Sequence, residues 1–380
     1  MPEHIVVIGA GLAGGSAVTA LREGGHTGPI TLLGTEERVP YERPPLSKGY
    51  LMGESSFEEA QVHDADWYPK NEVDLRTGTT ATGLDLANRT VQTTGGDVTY
   101  DKLLLATGAS PRHLALADDS GVPTAYLRNV EDSNQIREQF GEGKKIVIIG
   151  AGWIGLEVAS AARKVGTEVT IFERAAQPLL PVLGPEVAAR FAAVHRAHGV
   201  DLRLDTEVTA EDLAGADLVV VGIGAIPNTQ LAEDAGLDVD HGVLVDATLR
   251  TSDPDVYAVG DIANQDHPTL GRVRVEHWDT AIEQAKVVAR NLLGAQQDYD
   301  RQPYFFTDQY DLGMEYFGRG SGSDRVITRG DLGDGSGTFR AYWVRDGLVV
   351  AAMHANDWDA SDELRDSVGT DAAQVEDQDG

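Results

Sequence analysis

The chain has 380 residues, 41 % apolar and 24 % charged, the balance of a globular protein long enough for two or three domains. Its 31 basic and 61 acidic residues leave a net charge of −30, which repels nucleic acid and anionic membranes. Cysteine is absent, which excludes disulfide scaffolds, zinc ribbons, protein-ligated iron–sulfur clusters and thiolate nucleophiles, so redox chemistry would fall to a bound group.

The apolar run Ile5–Ile8 follows Met1–Glu3 directly, without the basic start and longer apolar core of a cleaved leader. No window is long enough to span a membrane, and a cytoplasmic protein is expected. Further strands are predicted at Ile30–Leu33, Leu103–Ala106, Ile146–Ile149, Val169–Phe172, Leu218–Val221 and Val256–Val259. Helices are predicted after Gly14, after Gly155 and over about Thr280–Leu293. This alternation predicts an α/β fold with parallel sheets. One unit occurs twice, from Ile5 and from Ile146: an apolar strand, a glycine turn, a helix of small residues, and a second strand ending near an acid. Two Rossmann-like dinucleotide-binding domains are therefore expected.

After Tyr299 the character changes. Tyr299, Tyr304, Phe305, Phe306, Tyr310, Tyr316 and Phe317 crowd together, and short alternating runs follow, with Gly320–Ser323 as a loop. A small C-terminal α+β domain is expected there, with the aromatic cluster as its core. Between Asp357 and Gly380 nine acids face Arg365 alone, and Val375–Gly380 reads as a solvated tail. The expected division is 1–112, 113–245, 246–302 and 303–380, the first and third stretches forming one domain.

Gly9-Ala-Gly11-Leu12-Ala13-Gly14 sits between a strand and a helix, with Thr35 and Glu36 beyond the second strand. Glycine permits the tight turn and lets a pyrophosphate reach the backbone at the helix N-terminus. Gly150-Ala-Gly152-Trp153-Ile154-Gly155 repeats the context, and Glu173 follows its second strand. A carboxylate there accepts from a ribose 2′-hydroxyl and repels a 2′-phosphate, favouring NADH over NADPH, although Arg174 next door tempers this. Two such motifs in one chain suit a flavin and a nicotinamide. Leu103–Gly108 and Thr251–Asp261 support a flavoprotein, Asp261 being placed to meet a ribityl hydroxyl.

With Pro40–Lys48, Gly224–Asn228, Val273–Ala285 and Pro303–Tyr310, these motifs resemble the family of putidaredoxin, rubredoxin and aromatic-ring-dioxygenase ferredoxin reductases, from Ile5 to about Asp359. Apoptosis-inducing factor is a more distant likeness. Lack of cysteine excludes the disulfide reductases and sulfenate peroxidases of the same superfamily. The resemblance implies an FAD-dependent, NADH-oxidising reductase, two Rossmann-like domains plus a C-terminal domain, and a [2Fe–2S] ferredoxin or rubredoxin-like acceptor serving an oxygenase. It implies FAD contacts at Gly9–Gly14, Thr35 or Glu36, Arg43, Lys48, Ala81, Thr107, Gly108, Arg128, Gly260, Asp261, His277 and Trp278. Nicotinamide contacts are implied at Gly150, Gly152, Trp153, Ile154, Gly155, Glu157, Glu173 and Gly224. Lys48 would place a positive charge by the flavin, and Glu157 would pair with it.

Three departures from the family pattern stand out. The acid usually found directly after Gly34 comes one place later; Phe306 stands where many relatives carry Trp; and most of a β-meander is missing between Glu207 and Leu218. A flavin NADH oxidase or quinone reductase, and a non-enzymatic NADH sensor, remain alternatives. The protein would be a monomer or homodimer. No metal site is expected, because His195 and His198 have no third ligand and read as a solvated helix face. Gly14-Gly15-Ser16 lacks the later glycine of a nucleophile elbow. An acidic carrier meeting an acidic protein needs a local basic patch, for which Arg301, Arg319, Arg325 and Arg329 are candidates.

Overall fold

The computed structural model describes residues 3–333 and 337–376, in two compact units. The first unit comprises Met1–Arg43, Ser56–Ser110 and Ala225–Arg301. Its centre is a parallel sheet in the order Val256–Ala258, Lys102–Leu105, Ile5–Ile8, Ile30–Leu33, Val73–Arg76. Ile5–Ile8 is buried at every position, as continuous apolar runs are when both faces of a parallel sheet are covered. Helix Leu12–Glu23 packs on helix Trp278–Leu292, whose Ala281, Ala285, Val288 and Leu292 form one buried stripe at helical spacing. Two three-stranded sheets, one of them over Ala81–Thr99, also belong to this unit.

The second unit comprises Pro44–Ser55, Pro111–Gly224 and Gln302–Gly380. It contains a second parallel sheet, in the order Asp201–Arg203, Glu168–Phe172, Lys145–Ile149, Leu218–Val221, Thr124–Ala125. Its other sheet is antiparallel, in the order Tyr304–Gln309, Leu312–Gly318, Leu348–Ala355, Phe339–Arg345, Arg325–Gly330. One core joins the two sheets: Leu183, Val187 and Phe191 of helix Leu180–Ala197 pack with Met314, Tyr316 and Trp343. The indole of Trp343 donates to the Leu183 carbonyl at 3.2 Å, which satisfies the polar edge of a fully buried ring.

Several expectations need correction. The helices begin at Leu12 and Trp153, not after the third glycine, because Gly15 already donates to Gly11 O and Leu156 to Gly152 O. Gly14 and Gly155 therefore lie inside the first turn. The C-terminal stretch is not wholly a tail: Ala373–Glu376 is helical and Val375 is buried with Phe317, Tyr342 and Leu364. An apolar side chain with a core to enter outweighs the surrounding acids; residues 377–380 lie outside the described residues. A short helix, Ala210–Leu213, capped by Thr209, stands where the meander is missing. Among the described residues no helix is long and apolar enough to cross a membrane.

Candidate functional site

In the first unit the fingerprint turn is pressed into the sheet. A Cβ on Gly9 would lie 2.2 Å from the Ala106 carbonyl oxygen, and one on Gly14 would lie 2.0 Å from the Gly9 oxygen. Gly11 faces open space. It is the N-cap of helix Leu12–Glu23, with no side-chain cap and no acid in the first turn. Backbone N–H groups and the positive end of the helix dipole are thus left for an anion, which fits the pyrophosphate of FAD.

Gly260 and Thr107 come up to this turn, and the other residues expected from sequence are placed by contacts of their own. Gly260 approaches Ala13, where a Cβ would stand 3.2 Å from that of Ala13, and its N–H donates to Gln284 Oε1 at 2.8 Å. Thr107 donates to the Asn228 carbonyl at 3.0 Å, and Asn228 returns a bond to Thr107 O at 2.8 Å. Gly108 takes a positive φ of 68° at this exchange. Glu36 is held by Tyr41 at 2.5 Å and Arg43 at 2.9 Å, whereas Thr35 is exposed and meets Thr80 at 3.2 Å. Burial works against the Arg43 charge, but Tyr41 and the Glu36 and Asp261 carboxylates outweigh it and hold the guanidinium above its ordinary range. His277 occupies the N-cap position of helix Trp278–Leu292 without a side-chain cap bond, and burial pushes the Glu42 carboxyl up against the opposing pull of the Trp278 indole. Ala81 starts its strand half-buried against the core. Tyr41, Glu42 and Asn228 lie within the motifs Pro40–Lys48 and Gly224–Asn228, but nothing in the sequence says which way their side chains point.

The second unit repeats the turn. A Cβ on Gly150 would lie 2.4 Å from Gly222 O, and one on Gly155 2.2 Å from Gly150 O. Helix Trp153–Lys164 is likewise uncapped at Gly152 and free of acids in its first turn, which fits the pyrophosphate of a nicotinamide dinucleotide. Glu173 Oε2 accepts from Ala151 N at 2.7 Å and Oε1 from Ala175 N at 2.8 Å, so its carboxylate is fixed beside the turn. Arg174 lies 3.9 Å from Glu207. Ile154 is 42 % exposed, whereas Trp153 packs edge-on against Phe191 and Phe305 as part of the core. Gly224 takes a φ of 100°, and its carbonyl accepts from Arg112. Arg128, half-buried, belongs to this unit, and its backbone N–H donates to Asp132 at 2.9 Å.

Lys48 and Glu157 also belong to the second unit, and they pair. Lys48 Nζ lies 2.7 Å from Glu157 Oε1, with the two side chains 15 % and 4 % exposed. Ser47 donates to Glu157 Oε2 at 2.5 Å and Thr307 to Oε1 at 2.5 Å. The Lys48 ammonium stands 5.3 Å from the centroid of Phe306. A buried carboxylate with three donors is satisfied as an anion, and its lysine is confined to one direction. Thr307 lies within the quoted Pro303–Tyr310 motif, yet only the strand Tyr304–Gln309 shows that its hydroxyl faces Glu157.

His195 overturns its expected role. It is fully buried, 2.9 Å from Gln309 Oε1, because helix Leu180–Ala197 is covered by the antiparallel sheet; only His198 is exposed, stacked at 3.6 Å on Tyr310. Burial pushes the His195 imidazole down to about 4. Well above pH 6.5 the ring is neutral in both folded and unfolded chains and adds no pH dependence. As pH falls from 6.5 towards 4 the unfolded chain takes up the proton first, costing about 3 kcal/mol of stability. Urea titrations across this window should show that loss, and His195→Asn should flatten its share; an unchanged slope would count against the buried neutral ring. The expected basic patch is also reduced. Arg301 is bound by Asp279 through two 2.8 Å bonds and Arg325 by Glu376, since a chain this rich in acids places one beside many of its cations.

Residues 3–285 match the family model described as pyridine nucleotide-disulphide oxidoreductase, and residues 304–378 match Reductase C-terminal. The anthranilate 1,2-dioxygenase system ferredoxin–NAD(+) reductase component of Burkholderia cepacia is 38 % identical over 374 residues, 93 % of this chain and 91 % of its own. Putidaredoxin reductase of Pseudomonas putida is 36 % identical over 377 residues, 93 % of this chain and 89 % of its own. The crystal structure of the covalent putidaredoxin reductase–putidaredoxin complex superposes with a TM-score of 0.92 at 35 % identity, covering 99 % of this chain and 96 % of that one. With two glycine-turn nucleotide folds and an antiparallel C-terminal sheet, the chain belongs to the pyridine nucleotide-disulphide oxidoreductase family, as a member with no cysteine of its own.

Proposed function

We propose that this chain is an FAD-dependent reductase that takes hydride from NADH and passes electrons singly to a small iron–sulfur carrier, of the [2Fe–2S] ferredoxin or rubredoxin type, for an oxygenase in the cytoplasm. The observation that carries the reading is the pair of uncapped glycine turns, one in each unit, in a chain with no thiol. The names of its relatives, a ferredoxin–NAD(+) reductase and a putidaredoxin reductase, supply the class of carrier. In this reading 1–112 and 246–302 hold FAD, 113–245 binds NADH, and 303–380 is the C-terminal domain.

FAD, when bound, accepts an electron pair as hydride and returns it as single electrons. Each turnover consumes one NADH, reduces two carriers and releases one proton. Gly9–Gly14, Glu36, Arg43, Thr107, Gly108 and Asp261 hold the flavin nucleotide, with Ala81, Arg128, His277 and Trp278 as further contacts. Glu173 accepts from the ribose of NADH and repels a 2′-phosphate, while Glu207 draws Arg174 aside. Lys48 supplies a fixed positive charge to meet the negative charge that arrives with the hydride, and Glu157 holds its ammonium in place.

The test is NADH oxidation in air with and without a [2Fe–2S] ferredoxin, cytochrome c reporting the electrons, and then with NADPH as donor. Strong stimulation by the ferredoxin and a higher kcat/KM for NADH are expected. Brisk oxidation that ignores the ferredoxin would replace this reading with an oxidase or quinone reductase. Slow turnover with an NADH-induced change of oligomeric state would replace it with a sensor.

A further inference from the structure

Behind Glu157 runs a buried hydrogen-bonded chain made of four more side chains of the second unit. Tyr310 Oη lies 3.3 Å from His195 Nδ1, and His195 Nε2 lies 2.9 Å from Gln309 Oε1. Gln309 Nε2 donates to Thr307 Oγ1 at 3.2 Å, and Thr307 donates to Glu157 Oε1, the oxygen that Lys48 also meets. Thr307, Gln309 and His195 are all buried.

The donors all run in one sense. An amide oxygen only accepts, so the single N–H of neutral His195 sits on Nε2 and its Nδ1 accepts from Tyr310. With Oε1 taken by His195, the NH₂ end of Gln309 faces Thr307. With a lone pair taken by Gln309, the Thr307 hydroxyl proton has Glu157 as its acceptor. Each link removes a rotational choice from the next, and the last one holds in place the Glu157 oxygen that Lys48 meets, while Ser47 holds the other. The chain orients and does not conduct: a proton could pass Gln309 only through the imidic acid form of its amide.

We propose that His195, Gln309 and Thr307 are positioning residues for the Lys48–Glu157 pair, fixing the ammonium in the direction that hydride transfer needs. The proposal rests on the role given to Lys48 above, and two readouts separate the failure of one from that of the other. In flavin-loaded Thr307→Val, NADH should bleach the flavin about fivefold more slowly, the worth of one hydrogen bond. Thr307→Ser should restore the rate, and Thr307→Val should add nothing in a Lys48→Ala background. Independently of turnover, reductive methylation read by mass spectrometry should label Lys48 about fivefold faster in Thr307→Val. Gln309→Met should give the same two shifts, and stands in if Thr307→Val does not fold. Unchanged labelling of Lys48, or equal slowing with and without Lys48, would overturn the positioning role. A Lys48→Ala protein as fast as the parent would remove the catalytic reading of Lys48, while labelling still decides whether the chain holds it.

Discussion

Lys48→Ala is expected to slow NADH-driven reduction of the bound flavin at least about tenfold, while FAD stays bound. The charge removed is 15 % exposed and stands against an aromatic ring and a carboxylate, so water cannot replace it in a fixed direction. Its loss leaves Glu157 with Ser47 and Thr307 as donors, which still satisfy two lone pairs but no longer neutralise the anion. Breaking a buried ion pair by removing one partner costs about 3–5 kcal/mol in general, and the two hydroxyls keep the cost here to the low end. Stopped-flow bleaching at 450 nm, a wavelength set by the flavin, separates rate from occupancy. A parental rate in a fully loaded variant would remove Lys48 from the mechanism.

Gly14→Ala should act on the other side of the chemistry, on the retention of FAD. Its Cβ would fall 2.0 Å from a backbone oxygen of the same turn, and neither Gly9 nor the helix can yield without moving the strand end behind it. Overpacking of this kind costs about 1–3 kcal/mol, and displacing the N–H groups proposed to meet the pyrophosphate should weaken binding at least about tenfold. The purified variant should therefore be pale, with its flavin released on dialysis, and should regain colour only in excess FAD. Gly11→Ala meets no protein atom within 4 Å, so its fold should keep the parental stability whatever it does to FAD. Equal flavin retention in Gly14→Ala and the parent would show that the turn relaxes more easily than its packing implies.

Much of the architecture is legible in the sequence alone. Ile5–Ile8, Ile30–Leu33 and Leu218–Val221 form strands with the expected limits, because short runs made almost wholly of aliphatic residues beside glycine have few other ways to bury themselves. The pairing of Lys48 with Glu157, 109 positions later, was legible only through the family motif, since spacing carries no information across that distance. His195 shows the opposite case. Its neighbours in sequence mark an amphipathic helix end, and only the sheet Tyr304–Gly318 folding over that helix turns an apparent surface histidine into a buried link.

By itself the sequence determined the two glycine turns, their parallel sheets and the absence of any thiol, because these depend on local backbone freedom, residue period and composition. Which donors surround Glu157, that Glu173 is tied to Ala151, that Val375 enters a core and that His195 is buried came only from the assembled fold. Those outcomes depend on burial and direction between segments far apart in the chain, and a side chain's charge and partners follow from what covers it.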